Sequence, residues 1–145
     1  RSFYDLRDVL VVFLFEMPFT GQLDERLGEM TSIRIIDIHS TELSGPMPSS
    51  IGNLSNLQAL MLEGQNYTGA SVLGGPLPTS LSDLSALEVF TASFTRFEDF
   101  LPDDICTRTK IRVMLLYNSG LTATNGRLPE SFAECRNLEV LWLQA

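Results

Sequence analysis

The chain has 145 residues, 44% of them hydrophobic, with 18 acidic against 10 basic side chains and a formal net charge of -8. That length supports one domain with a buried core. The acidic balance, with Lys110 the only lysine, argues against nucleic acid and anionic membrane as partners, because phosphate-binding surfaces need clustered Lys and Arg. The longest apolar run, Val9 to Phe15, falls far short of the roughly 20 residues that span a bilayer, so no direct membrane insertion is expected.

In chain order, "RSFYDLRD" (1–8) aligns with "SSIGNLSN" (49–56) and reads as the second half of a coil. A spacing of apolar-x-x-apolar-x-apolar then recurs six times. Its copies are Val9, Val12, Leu14; Ile33, Ile36, Ile38; Leu57, Leu60, Leu62; Leu87, Phe90, Ala92; Ile111, Met114, Leu116; and Leu138, Leu141, Leu143. Starts at 9, 33, 57, 87, 111 and 138 lie 24, 24, 30, 24 and 27 residues apart. Each of the first five copies is followed by a turn signature: "GQLD" ending at Asp24, "GPMP" at Pro48, "GPLP" at Pro78, "DFLP" at Pro102 and "GRLP" at Pro129. Apolar residues three apart come next, as in Leu27 and Met30, Ile51 and Leu54, or Leu81 and Leu84. Spacing of two predicts a strand and spacing of three a tight helical return. The two long gaps are insertions, "TGASVLGG" (68–75) and "TATNG" (122–126), expected to bulge from one flank between strand and turn.

Read as a unit, "LSGPMPSSIGNLSNLQALML" resembles the plant-type leucine-rich repeat, L-x-x-L-x-L-x-x-N-x-L-x-G-x-I-P-x-x-L-x-x-L, and the resemblance covers essentially the whole chain. It implies an α/β solenoid, a right-handed leucine-rich repeat superhelix with a concave parallel β-sheet and an irregular or 3-10 convex side. The expected organisation is a single array: partial coil 1–8, coils 9–32, 33–56, 57–86, 87–110 and 111–137, and partial coil 138–145, with further coils at both ends. Strands should centre near residues 13, 37, 61, 91, 115 and 142, with Ile36, Leu60, Phe90, Met114 and Leu141 in one buried column. The family's Asn after the strand is replaced by Met17, Thr41, Gln65, Thr95 and Ser119, which marks a divergent member. Thr, Ser and Gln can partly take over its hydrogen bonds, whereas Met17 cannot.

Little in the sequence suggests catalysis. His39, the single His, stands near Asp37 at an outward strand position, without a nucleophile elbow, and reads as a contact residue. Asp103 and Asp104 are expected to cap a helical turn. Neither a metal-ligand spacing nor a cofactor motif is present, so no enzyme, metal or cofactor is expected. Cys106 and Cys135 fall on neighbouring return segments. A bridge needs Cα atoms within about 7 Å. Return segments are expected to lie further apart than strands, so two free thiols is the preferred reading and a bridge the alternative. Sequons at Asn53 and Asn66 fall in outward columns and are candidate glycosylation sites, although chance supplies about one of the two.

The concave face is the candidate partner-binding surface. Outward strand positions are Phe13, Phe15, Asp37, His39, Met61, Glu63, Leu115, Tyr117 and Trp142, together with Thr91, Ser93 and Gln144. Large apolar and aromatic side chains where polar ones would be tolerated suit a protein or peptide ligand. The resemblance implies an extracellular or cell-surface segment, or one in the endomembrane lumen, of a receptor-like or secreted protein, with a cytoplasmic location as the alternative. The alternative is a structural leucine-rich repeat protein of a cell wall, fibre or large membrane assembly.

Overall fold

Each coil of a solenoid must bury the same positions against its neighbours, and the computed structural model displays that repetition residue by residue. It describes residues 2–64, 73–98, 101–121 and 130–143. A 3-10 turn (Phe3–Asp5) leads to β1 (Val11–Phe13) and β2 (Thr20–Gln22), and a second (Glu25–Glu29) to β3 (Ile35–Asp37) and β4 (Glu42–Ser44). A third turn (Ser49–Asn53) precedes β5 (Ala59–Met61) and β6 (Gly74–Pro76), and a fourth (Thr79–Asp83) precedes β7 (Val89–Thr91) and β8 (Arg96–Glu98). The short helix α1 (Ile105–Arg108) precedes β9 (Val113–Leu115), and a 3-10 turn (Glu130–Glu134) precedes β10 (Val140–Trp142).

Among the described residues, β1, β3, β5, β7, β9 and β10 form one parallel sheet in that order. Val12, Ile36, Leu60, Phe90, Met114 and Leu141 stand opposite one another along it. The strands centre one residue before the expected positions, but the backbone ladder runs on past them. Leu14 N–H donates to Asp37 O at 2.8 Å, Ser40 N–H to Glu63 O at 2.8 Å, and Phe94 N–H to Tyr117 O at 3.1 Å. Pairing fades where the chain turns out through a left-handed residue, Glu16, Ser40, Phe94 or Asn118, at φ 54°, 55°, 55° and 51°.

The expected buried column holds from Ile36 to Met114 and extends to Val12, none more than 6% exposed, but Leu141 is 39% exposed. This is a correction with a simple cause: β10 has β9 on one side and no described strand on the other. Behind the sheet, Leu27, Met30, Ile51, Leu54, Leu81, Leu84 and Ile105 project from the returns and are all buried. Each such side chain contributes roughly 1.5–3 kcal/mol relative to exposure. The spacing of three thus aims the return at the same core that the strand covers from the front.

A second set of pairings was not foreseen. β2 pairs with β4 and β6 with β8, and a parallel Gly45–Leu73 bridge joins the two pairs between consecutive coils. The Gly of each of the first three turn signatures, Gly21, Gly45 and Gly75, takes φ of 108°, 83° and 79°, which a side chain would oppose. Leu73, Gly74 and Gly75 therefore belong to this ladder or its bridge, with Leu73 and Gly74 buried, and do not bulge as expected. Residues 68–72 and 122–126 of the two insertions lie outside the described residues. In the column that normally carries Asn, Thr41 Oγ1 donates to Ile38 O at 3.0 Å, and Thr95 Oγ1 lies 2.6 Å from Ala92 O and 3.2 Å from Ser119 O. Met17 is exposed, and Gln65 lies outside the described residues.

Two expectations on the return side are corrected. Cys106 and Cys135 form a disulfide with Cα atoms 4.6 Å apart, so they are not free thiols. The returns come this close because one column along them, Gly28, Gly52, Ser82, Cys106 and Ala133, is small throughout. A Cβ added at Gly28 would sit 2.5 Å from Ser50 Cβ, and one at Gly52 2.7 Å from Ser80 Cβ. Asp104 does stand at the N-cap of α1, but its side chain makes no cap bond there and accepts from Arg108 at 3.2 Å instead.

Candidate functional site

Strand alternation sends Val12, Ile36, Leu60, Phe90 and Met114 inward, so the residues on either side of each face out. Three parallel rows result. The first is Val11, Ile35, Ala59, Val89, Val113 and Val140, opposite one another along the sheet. Sequence reasoning missed this row, although the same alternation that found its neighbours predicts it and every member is apolar.

The second row is Phe13, Asp37, Met61, Thr91, Leu115 and Trp142. Phe13 and Trp142, at its two ends, are 56% and 52% exposed, while Asp37 and Thr91 are buried at 7% and 4%. Asp37 is thus a part of the floor rather than an exposed contact. The third row is Phe15, His39, Glu63, Ser93 and Tyr117, aligned by the ladder that continues beyond the strands. Phe15 is exposed, His39, Glu63 and Tyr117 are half-buried, and Ser93 is fully buried, its Oγ donating to Leu115 O at 3.3 Å. Gln144 lies outside the described residues.

Aromatic side chains gather at opposite ends of these rows. Phe15 stacks on the His39 ring with centroids 5.1 Å apart and planes 2° from parallel, and Phe13 meets Phe15 edge-on at 6.2 Å. His39 Nδ1 lies 2.5 Å from Asp37 Oδ1, which also accepts the His39 backbone N–H at 3.2 Å. The floor carboxylate thereby fixes the imidazole. At the other end Tyr117 lies 4.9 Å from Trp142 and 4.9 Å, edge-on, from Phe94.

One edge of the face is charged. Arg112 donates through Nε and Nη2 to Glu139 at 3.0 Å each, and its Nη1 lies 3.6 Å from Glu88. The Glu139 carboxylate, with Glu88 behind it, raises the Arg112 pKa through charge-assisted hydrogen bonds. The candidate glycosylation site Asn53 ends a return and is exposed, far from the sheet face in the coil, while Asn66 lies outside the described residues. Among the described residues no group of three or more His, Cys, Asp or Glu is placed to hold a metal ion. No described helix is long and apolar enough to cross a membrane.

No protein-family model matches the sequence. Solved structures do. The leucine-rich repeat ectodomain of the plant membrane receptor kinase GASSHO1/SCHENGEN3 from Arabidopsis thaliana, in complex with CASPARIAN STRIP INTEGRITY FACTOR 2, is 27% identical with a TM-score of 0.84. The match covers 98% of this chain and 16% of that one. A TDR receptor is 22% identical with a TM-score of 0.82, over 97% of this chain and 23% of the receptor. The Leptospira interrogans leucine-rich repeat protein LIC12759 is 21% identical with a TM-score of 0.78, over 97% and 32%. The chain therefore spans from about a sixth to a third of the length of these structures.

Proposed function

We propose that this leucine-rich repeat protein is a recognition scaffold, and that the outer, concave face of its six-stranded sheet takes a protein or peptide ligand. The observation that carries the reading is the pair of aromatic clusters on one continuous face, exposed Phe13 with exposed Phe15, and half-buried Tyr117 with exposed Trp142. Large side chains of this kind supply most of the binding energy at protein interfaces. The nine residues proposed to line it are Phe13, Phe15, Asp37, His39, Met61, Glu63, Leu115, Tyr117 and Trp142, with Asp37 acting from the floor.

We place the segment outside the cell or at its surface. The Cys106–Cys135 bridge supports this, because disulfides persist in oxidising compartments, and so does the likeness to a receptor-kinase ectodomain. A sugar on the exposed Asn53 fits the same setting, and Asn66 is its companion sequon. Leu10, Val11 and Met17 at one end and Leu141 and Leu143 at the other are exposed apolar side chains on which a neighbouring coil could pack, and such packing is part of this proposal. The function needs no catalytic step or cofactor. A structural role in a wall, fibre or membrane assembly is the second reading, supported by the same apolar ends.

The test is selection of binders from a randomised peptide display library, followed by substitution. Trp142→Ala and Tyr117→Ala should each weaken the selected binders by about tenfold or more while leaving the fold intact. Binders that ignore both substitutions, yet are lost on changing Asp83 or Glu134 of the return side, would refute the concave-face reading.

A further inference from the structure

Building on the outer face as the recognition surface, we infer that its ligand is an extended peptide segment with two aromatic or large aliphatic side chains about six residues apart and a basic residue between them.

The two aromatic clusters set the spacing. One lies across β1 and β3, where Phe15 stacks on His39, and the other across β9 and β10, where Tyr117 meets Trp142. The strand order places four strand intervals between their centres. At about 4.8 Å per interval the clusters stand roughly 19 Å apart. An extended chain advances about 3.3 Å per residue, so side chains roughly six residues apart reach both. Both clusters are already organised. His39 is pinned by Asp37, and Tyr117 is packed from two sides, so little side-chain freedom is lost when a ligand residue docks.

Charge supplies the third element. Glu63 lies in the same row, between His39 and Tyr117, half-buried and with no ion pair among the described residues. Asp37, the other acid of the rows, is engaged by His39. The free carboxylate midway along the face, on a chain of net charge -8, fits a Lys or Arg of the ligand. An extended ligand also keeps backbone N–H groups available to this carboxylate, whereas a helix spends them internally.

The probe is a fluorescent peptide with Trp at two positions six apart and Arg midway, titrated against the protein by anisotropy. Halving the Trp spacing, or exchanging Arg for Glu, should weaken binding at least about tenfold. His39→Ala and Tyr117→Ala should do the same, with melting temperatures near that of the parent. Glu63→Gln should abolish the preference for Arg over Glu while the spacing preference persists. Affinity independent of spacing, an Arg preference that survives Glu63→Gln, or no binding up to about 1 mM would each overturn the inference. Display-selected binders that still lose affinity on Trp142→Ala would then leave the recognition surface standing, and binders indifferent to it would remove both.

Discussion

Glu25 of one coil caps Ser50 of the next: its Oε2 accepts the Ser50 N–H at 2.8 Å and its Oε1 the Ser49 N–H at 3.0 Å. The following turn begins after Pro48, whose side chain cannot cap, so the first N–H groups of Ser49–Asn53 are satisfied from the neighbouring coil. These donors, Ser50 first and then Ser49, hold the Glu25 pKa below its ordinary value. A depressed carboxylate contributes stability that is present above the unfolded-state pKa, about 4.3, and is lost as pH falls through the folded-state value. Glu25→Ala should therefore melt below the parent at neutral pH, and the difference should shrink from about pH 5 downward. Melting curves of both proteins across that range check it; a gap that widens in acid contradicts the cap.

Leu60 and Leu141 occupy the same column and should respond differently. Leu60 is 1% exposed between Ile36 and Phe90, whereas Leu141 is 39% exposed beside Met114 alone. Leu60→Ala should cost about 2–5 kcal/mol in denaturant unfolding, through lost burial and the cavity left behind. Leu141→Ala should cost under about 1 kcal/mol in the same chain.

Glu16 is held at φ 54°, a conformation that glycine adopts freely and a glutamate does not. Its side chain is exposed, so little packing is lost on its removal. Glu16→Gly should raise stability by roughly 0.5–1 kcal/mol, read as a higher melting temperature.

The disulfide spans 29 residues of sequence. Closing a loop of that length in the unfolded chain is worth roughly 3.5 kcal/mol in the chain-entropy account. The double variant Cys106→Ser with Cys135→Ser should lose stability of that order, and reduction of the parent should reproduce the loss.

Thr91 carries a buried hydroxyl with no hydrogen-bond partner among the described residues. Thr91→Val removes an unsatisfied group and keeps the shape, so it should raise stability by about 1 kcal/mol in the unliganded protein. A fall in melting temperature would mean that the hydroxyl is satisfied.

The periodic part of this protein was legible because one rule is repeated: Ile36, Leu60, Phe90 and Met114 differ in shape but share a position, and burial follows position. The outward residues were found by the same alternation, yet Asp37 proved buried because its degree of cover depends on the side chains beside it, which spacing alone does not give. The β2–β4 and β6–β8 pairs left no trace in hydrophobic pattern, since segments such as Gly74–Pro76 pair through backbone with few side chains to alternate. The disulfide was misjudged for a related reason. The distance between returns is governed by a column of small residues whose meaning appears only when coils are stacked.

That column also sets the bend of the ribbon. A stack of coils is straight when front and back repeat at the same interval, and it arcs when the back repeats at a wider one. The front interval is fixed by hydrogen bonding at about 4.8 Å, and cannot be tuned by side chains. The back interval can, and Gly28 and Gly52, whose added Cβ atoms would collide with Ser50 and Ser80, hold it near its minimum. The radius of the arc, and with it the distance between the two ends of the sheet face, is thus written on the opposite, return side of the molecule.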